Sequence, residues 1–156
     1  MTSSVAVVTG AAGDIGRAIA KRLADNHDVV VLLDLDGTAA AEAASGLGPA
    51  HRFVAVACDV TSEADLARTA ARVAELGVVK TLVNNAGAAR AVSLGDTDGD
   101  IWRKDNALNL EAPFLCFRAF EGALKQSQGA LVNISSVNGM AVFGHPAYSA
   151  AKAGLI

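Results

Sequence analysis

The sequence contains few of the residues that mark several protein classes. Its 156 residues include 2 Cys and 3 Pro, and aromatic side chains make up 4%. Cys58 and Cys116 lie far apart, without the spacing of metal ligands, so we interpret them as buried thiols and predict no metal site. No apolar run is long enough to span a bilayer, and the first four residues lack the features of a signal peptide. We therefore predict a cytoplasmic protein that does not enter a membrane.

Clusters of basic residues are also missing. The formal net charge is −3 and the pI is about 5.5. Nucleic acids and anionic membrane surfaces are therefore not expected as partners. Hydrophobic residues make up 52% and charged residues 19%, which is typical of a globular chain with a buried core and excludes a disordered one.

Strand and helix patterns alternate along the chain. Strands are predicted at 5–8, 29–33, 53–57, 78–83 and 130–134, and helices at 15–26, 38–45, 64–76, about 101–126, and from 147 onward. Such repeated β-α-β units predict an α/β fold with a doubly wound parallel sheet and helices on both faces, within one domain over 1–156. The last helix pattern stops without a cap, so we expect the N-terminal part of a longer polypeptide.

A glycine-rich turn follows the first strand. The apolar run Val5–Val8 leads into Thr9, and glycines follow at positions 10, 13 and 16 as a helical pattern begins. Strand, glycines and helix in this order are the context in which a dinucleotide-binding turn occurs. The glycines permit a tight turn and a close backbone approach to a pyrophosphate, and the helix N-terminus attracts that anion.

Asp34 ends the second strand, 18 positions after Gly16. A carboxylate there can accept hydrogen bonds from an adenosine ribose and would repel a 2′-phosphate. No basic residue lies between Gly10 and Gly16, and Leu35 is not basic, so we expect NAD in preference to NADP. The alternative is that Asp34 caps the helix after it.

Tyr148 and Lys152 lie one helical turn apart and therefore on one face of the last helix. An ammonium group near a phenol favours the phenolate and lowers the pKa of the tyrosine toward the working pH. The pair follows a strand that ends in Ser135 and Ser136. Sites in α/β folds lie at this end of the strands, and Ser136 is a candidate donor to a carbonyl oxygen.

Together these motifs resemble the short-chain dehydrogenase/reductase family, in its short form of about 250 residues. The matching residues are, in order, Thr9-Gly10 with Gly16, Asp59-Val60, Asn84-Asn85-Ala86-Gly87, Asn109, Ile134-Ser135-Ser136, and Tyr148 with Lys152. They span the entire chain. The resemblance implies a Rossmann-type fold and an oxidoreductase that moves a hydride between a nicotinamide and the carbon of a secondary alcohol or ketone.

The resemblance also implies residue roles. Tyr148 would be the general acid/base, and Lys152 would lower its pKa and hold the nicotinamide ribose. Ser136 would position the substrate carbonyl, and Asn109 would anchor a water of the proton relay. Independently of the resemblance, Pro113 has no N–H for the Asn109 carbonyl, so that carbonyl is a candidate acceptor for this water; the alternative is a simple kink that bends the helix around the core. The expected cofactor contacts are Gly10, Gly13, Asp14, Ile15 and Gly16 at the pyrophosphate, Asp34 and Leu35 at the ribose, Asp59 and Val60 at the adenine, and Asn85, Ala86 and Gly87 along the cleft.

One position departs from the short form. Its pattern T-G-x-x-x-G-x-G has glycine where this chain has Asp14, whereas Gly13 fits the extended relatives, such as sugar-nucleotide epimerases. We expect Asp14 to cap the helix, whose N-terminus tolerates negative charge. An epimerase or dehydratase that retains NAD is therefore an alternative function, and a non-catalytic nucleotide-binding protein is another if these 156 residues are the whole polypeptide.

The predicted helix at 101–126 has more apolar surface than one core face needs. Phe114, Leu115 and Phe117 are part of this surface. The resemblance implies that this helix and the Tyr148 helix pair with their copies in a homo-oligomer, a dimer or tetramer. A fully buried helix is the alternative. His145 precedes the Tyr148 helix, and we expect a solvated loop residue there. The alternative is that His145, like Trp102, lines a substrate pocket.

Overall fold

A computed structural model describes residues 2–156, so Met1, the first residue of the predicted domain, lies outside the described residues. It contains one sheet of five parallel strands in the order β3-β2-β1-β4-β5. The strands are β1 (Ser4–Thr9), β2 (Val29–Asp34), β3 (Phe53–Ala57), β4 (Val78–Asn84) and β5 (Ala130–Asn133). All five predicted strands are present within one residue of their predicted bounds.

Side chains of β1 alternate between two cores. Val5 and Val7 pack into one hydrophobic cluster and Ala6 and Val8 into the other. Successive residues of a strand point to opposite faces, so a strand buried on both faces has apolar residues at every position. This explains the continuous apolar runs of β1 and β2 and confirms the predicted doubly wound sheet.

The described residues form six α-helices: α1 (Asp14–Leu23), α2 (Gly37–Leu47), α3 (Glu63–Ala74), α4 (Gly99–Asn106), α5 (Ala112–Ser127) and α6 (Pro146–Gly154). Helices α3 and α5 contribute Leu66, Val73 and Phe120 to the cluster that contains Val5. Helices α1 and α2 contribute Ala20 and Ala43 to the cluster on the opposite face. Among the described helices, none is long and apolar enough to cross a membrane.

One prediction about helix caps is wrong, and one alternative is excluded. The N-cap of α1 is Gly13, without a side-chain cap, and Asp14 is the first helical residue, where its carboxylate pairs with Arg17. The N-cap of α2 is Asp36, which accepts hydrogen bonds from two backbone N–H groups, so Asp34 does not cap it. Asp34 ends β2 two residues earlier and is free for another role.

The predicted helix at 101–126 is interrupted. Helix α4 ends at Asn106, a π-helical turn spans Ala107–Glu111, and α5 begins at Ala112. The backbone N–H of Ala112 donates to the carbonyl of Ala107, five residues back, as in a π-helix. Pro113 follows at once and lacks an N–H, so the α-helical hydrogen bond to the Asn109 carbonyl is impossible. Asn109 lies within this π-turn and is buried.

Strand β5 forms one edge of the sheet, and its four residues are exposed. A short 3-10 turn, Val137–Gly139, follows it, and a loop then leads to α6. Ser135 fastens these elements together, because its hydroxyl donates a 2.8 Å hydrogen bond to the Lys152 carbonyl. The C-terminal half of α6, which carries Lys152, therefore lies near the carboxyl end of β5.

Candidate active site

A cleft of about 720 Å³ lies at the carboxyl ends of the central strands. Strands β1 and β4 are neighbours there. From β1 the chain continues to β2 and β3 on one side, and it then crosses to β4 and β5 on the other. Parallel α/β sheets bind ligands at the point where the strand order reverses in this way. All twelve residues predicted to contact a cofactor from strands β1 to β4 line this cleft: Gly10, Gly13, Asp14, Ile15, Gly16, Asp34, Leu35, Asp59, Val60, Asn85, Ala86 and Gly87. The structure thus brings together residues from four separate strand ends.

The glycine turn cannot accept side chains at two of its three glycines. Gly10 has a φ of 61°, and a Cβ there would lie 2.8 Å from the Cα of Ala86. A Cβ on Gly16 would overlap the carbonyl oxygen of Gly10. Gly13 is different, because its Cβ would meet only that oxygen, at 3.6 Å. Gly10 and Gly16 therefore let the backbone turn close to β4, which leaves the cleft open for a pyrophosphate.

Thr9 joins the glycine turn to the end of β4. Its hydroxyl accepts hydrogen bonds from the backbone N–H groups of Asn85 and Ala86, both at 3.0 Å. The Asn85 amide donates in return to the carbonyls of Thr9 and Gly10, at 3.0 and 3.1 Å. The two walls of the cleft are therefore fixed relative to each other by side chains and not only by the sheet.

The Asp34 carboxylate holds the same turn from the other side. One of its oxygens accepts a 3.0 Å hydrogen bond from the backbone N–H of Ala12, and the other accepts a 3.3 Å bond from that of Asp36. Asp34 lines the cleft, so a negative charge faces the position that an adenosine ribose occupies in a dinucleotide fold.

Lys152 is 3% exposed, and its ammonium donates a 2.8 Å hydrogen bond to the carbonyl of Ile134. Burial lowers the pKa of this lysine, because the charged form loses hydration. No carboxylate pairs with it among the described residues. Its Nζ lies 5.6 Å from the centroid of the Tyr148 ring. The structure therefore holds a cation beside the phenol without an acidic side chain to neutralise it.

Gly87 connects this pair to the cleft. Neither Tyr148 nor Lys152 lines the cleft itself, but a Cβ on Gly87 would lie 3.4 Å from the Lys152 Nζ and 2.7 Å from the Asn109 Oδ1. Asn109 is 0% exposed and bonds the backbone of Ala88 in both directions, accepting from its N–H at 3.2 Å and donating to its carbonyl at 2.8 Å. Three predicted catalytic residues thus meet at the edge of the cleft.

Ser136 begins the 3-10 turn after β5, where its hydroxyl accepts a 3.2 Å hydrogen bond from the Asn138 N–H. No hydrogen bond joins Ser136 to Tyr148 within residues 2–156. Ser135, the preceding residue, bonds the Lys152 carbonyl and therefore acts in packing α6 against the sheet. Ser136 remains the serine that is available to a ligand.

His145 is not the solvated loop residue that we expected. It is half-buried, with a φ of 50°, and its Nδ1 lies 2.9 Å from the carbonyl oxygen of Ala91. Its ring lies edge-to-face with Tyr148, with 6.4 Å between the centroids. His145 therefore joins the loop after β4 to the helix that carries Tyr148.

Sequence reasoning missed several residues at the cleft. Arg90 and Lys104 line it, together with Cys58, Thr61, Ala107 and Leu108. Asp105 lies behind them as a buried carboxylate that pairs with Arg90 at 2.6 Å. For Arg90, the available signal was its position in the sequence, three residues after the Asn84–Gly87 motif. Asp105 gives no signal, because an acidic residue on an amphipathic helix is normally exposed.

Comparisons with known proteins agree with this geometry. The family profile for short chain dehydrogenase matches residues 4–156. The chain is 37% identical to a trans-4-hydroxycyclohexanecarboxylate dehydrogenase from Sinomonas cyclohexanicum, covering 99% of this chain and 63% of that protein. It is 36% identical to a D-threitol dehydrogenase from Mycolicibacterium smegmatis, covering 100% of this chain and 62% of that one.

A solved structure is similar as well. It is an oxidoreductase of the short chain dehydrogenase/reductase family from Burkholderia thailandensis, with a TM-score of 0.89 and 40% identity, covering 99% of this chain and 60% of that one. The chain thus spans about three fifths of the length of the relatives it matches. From the matched profile, the sheet order and the cleft, the chain belongs to the short chain dehydrogenase family.

Proposed function

We propose that this chain belongs to an NAD(H)-dependent oxidoreductase that interconverts a secondary alcohol and a ketone, with Tyr148 as the general acid/base. One observation carries the proposal: Lys152 stands beside both the Tyr148 ring and Gly87 of the cleft wall. A lysine ammonium is thereby adjacent both to a phenol and to a cleft whose glycines leave room for a pyrophosphate.

The residues at the edge of the cleft would handle the proton. A bound nicotinamide supplies or accepts the hydride. Tyr148 takes the proton from the alcohol hydroxyl, or returns it to the ketone oxygen, and the Lys152 charge stabilises the phenolate between these steps. Ser136 donates a hydrogen bond to the substrate oxygen, and Asn109 holds the wall at Gly87 in place. Asn109 also anchors the water that connects Lys152 to solvent.

NAD is the proposed cofactor because of Asp34. Its carboxylate lines the cleft and is held by backbone N–H groups on both oxygens, so it cannot swing away from a ligand without losing these bonds. A 2′-phosphate would meet this charge directly. Leu35 beside it is exposed and offers no compensating positive charge.

The proposed substrate class is a secondary alcohol or the corresponding ketone. The relatives named above are dehydrogenases of an alicyclic hydroxy acid and of a polyol, and a further relative, 33% identical, is a meso-2,3-butanediol dehydrogenase from Serratia marcescens. Each name specifies a molecule with a secondary hydroxyl, the group that Tyr148 would deprotonate. Sugar, hydroxysteroid and 3-oxoacyl substrates belong to the same chemical class.

We further propose a single dinucleotide-binding domain over 1–156, a cytoplasmic location and a homo-oligomer. Helix α5 supports the last point, because Phe114 is 56% exposed and the Arg118 guanidinium lies 6.0 Å from its ring centroid. Exposed aromatic residues are enriched at protein interfaces. Phe120 and Leu124 of the same helix are buried in the core, so Phe114 is an exposed aromatic residue on a different face of α5.

The proposal is tested with the full-length protein and its Tyr148→Phe variant. NADH formation is followed for secondary alcohols of the classes above, and NADH oxidation for the ketones. We expect turnover in the parent, and a loss of about 1000-fold in kcat with retained NAD binding in the variant. Bound NAD without any net NADH change would support an epimerase instead, and an absence of NAD binding would support neither.

A further inference from the structure

The segment 87–90 forms the wall of the cleft after β4, and it is held from behind at two points. Asn109 bonds the backbone of Ala88 on both sides. Asp105 holds Arg90: one carboxylate oxygen accepts from the guanidinium at 2.6 Å, and the other accepts from the backbone N–H of the same residue at 3.3 Å. Both holding residues come from one stretch of chain, the end of α4 and the π-turn.

The Arg90–Asp105 pair differs from the other ion pairs of residues 2–156. The Asp105 side chain is 2% exposed and that of Arg90 38% exposed, whereas the pair between Asp100 and Arg103 on the same helix is 75% and 73% exposed. Burial of a carboxylate carries a desolvation penalty that an ion pair only partly offsets, and an apolar residue usually stabilises such a position as well or better. The buried Asp105 carboxylate behind the cleft wall is therefore better explained by a role in positioning Arg90 than by a gain in stability.

The pair is also connected to the reacting residues. The Asp105 carbonyl accepts a 2.8 Å hydrogen bond from the Asn109 amide, whose oxygen faces Gly87. Gly87 in turn lies against the Lys152 ammonium. A displacement of the segment at Arg90 would therefore change the contacts of Gly87 with both Asn109 and Lys152.

We propose that Arg90 and Asp105 are a positioning pair that holds the segment 87–90 in the conformation that binds the dinucleotide. Because this rests on the proposed function, its test includes a measurement that needs no cofactor. Asp105 acts from behind the wall through Arg90, whose side chain lines the cleft. The segment is thereby ordered before a ligand arrives, so less conformational entropy is lost on binding.

The test compares four variants of the full-length protein. Asp105→Asn keeps the shape and the acceptor oxygen but removes the charge, and Arg90→Gln leaves the carboxylate unpaired. Arg90→Lys keeps the positive charge, and the double variant Arg90→Gln/Asp105→Asn removes both charges. Asp100→Asn is the matched control, since it breaks an exposed pair at the start of the same helix.

The cofactor-free readout is amide hydrogen exchange. We expect Asp105→Asn and Arg90→Gln to speed exchange about 10-fold or more at residues 87–91, with β1 and β2 unchanged, and the Asp100 control to leave this segment as in the parent. Unchanged exchange at 87–91 in both variants would overturn the proposal, whether or not the parent binds NAD. A parent that fails to bind NAD while the exchange result holds would instead count against the proposed function.

The second readout is the Kd for NAD by calorimetry, together with KM and kcat. We expect Kd and the KM for NAD to rise about 10-fold in Asp105→Asn and in Arg90→Gln, with a smaller change in kcat. The fold-increase in Kd of the double variant should be smaller than the product of the two single fold-increases. Arg90→Lys, which keeps the positive charge, should retain most of the parent's affinity for NAD. A lowered melting temperature with an unchanged Kd would show a purely structural pair and would reject the inference.

Discussion

The Asp34 carboxylate accepts a 3.0 Å hydrogen bond from the backbone N–H of Ala12, so the residue that would select the cofactor also holds the turn that would bind its phosphates. Replacing Asp34 therefore has two effects, on charge and on the shape of the turn. A variant that preserves the hydrogen bond is needed to separate them.

Asp34→Arg should reverse the cofactor preference. We expect the ratio of kcat/KM for NAD over that for NADP to fall about 100-fold, because a charge that repels a 2′-phosphate is replaced by one that attracts it. Asp34→Asn, which can still accept from Ala12, should reduce the NAD preference without reversing it. Steady-state kinetics with both cofactors measure this, and a parent that already prefers NADP would contradict the role of Asp34.

The glycine turn predicts different effects for two similar substitutions. Gly16→Ala should lower the free energy of unfolding by about 2–4 kcal/mol, because its Cβ would overlap the backbone of Gly10 and of Ala11. Gly13→Ala should change it by less than about 1 kcal/mol, since little lies near the added carbon. Urea denaturation of the two variants measures the difference, and equal destabilisation would show that the turn is not tightly packed.

Thr9→Val should destabilise the protein although the shape is nearly conserved. The hydroxyl that accepts from the N–H groups of Asn85 and Ala86 is lost, and two partly buried donors remain unpaired, at about 1–3 kcal/mol for each. Thr9→Ser keeps the hydroxyl and should lose about 1 kcal/mol or less from the missing methyl group. A valine variant as stable as the serine variant in thermal unfolding would contradict this.

Lys152→Met should separate folding from function. At neutral pH the stability without cofactor should stay within about 1–2 kcal/mol of the parent, because removing a buried charge offsets the loss of the hydrogen bond to the Ile134 carbonyl. The affinity for NAD and kcat should both fall. Calorimetric unfolding and NAD titration measure the two quantities.

The same variant has a pH signature. The pKa of Lys152 is lowered by burial in the folded state, so between that pKa and 10.5 the unfolded chain binds more protons. Over this window the Lys152 contribution to the parent's stability rises with pH. The stability of the parent should therefore increase relative to that of Lys152→Met as the pH enters this window from below. A relative decrease would contradict the assigned direction of the pKa.

Much of the fold follows from hydrophobic patterning in the sequence. The continuous apolar runs at β1 and β2 predict strands buried on both faces, and the glycine turn after Thr9 predicts the cleft. The π-turn at Ala107–Glu111 was not predicted, because it depends on one extra residue per turn and leaves the apolar periodicity almost unchanged. Pro113 was the available signal, and it indicated a missing hydrogen bond without specifying the form of the helix.

The parts of the site that could not be predicted depend on tertiary contacts. Aspartate is a common N-cap residue, but Asp14 is the first residue of α1 and pairs with Arg17. The side chain that caps α2 is that of Asp36, two residues beyond the end of β2. Asp105 is a charged residue on a short helix, and such a residue is expected to be exposed. Its burial depends on the pairing with Arg90, which lies on another segment of the chain. Pairing between distant segments is not visible in local patterns.

The order of the strands has a consequence for how specificity is distributed. Asp34 and Asp59 lie on one side of the switch point between β1 and β4, whereas Ser136 and Tyr148 follow β5, the exposed edge strand on the other side. With the proposed function, changes at that edge would alter the surroundings of the reacting carbon and leave the adenosine half untouched. Cofactor choice and substrate choice would then be able to diverge independently within this architecture.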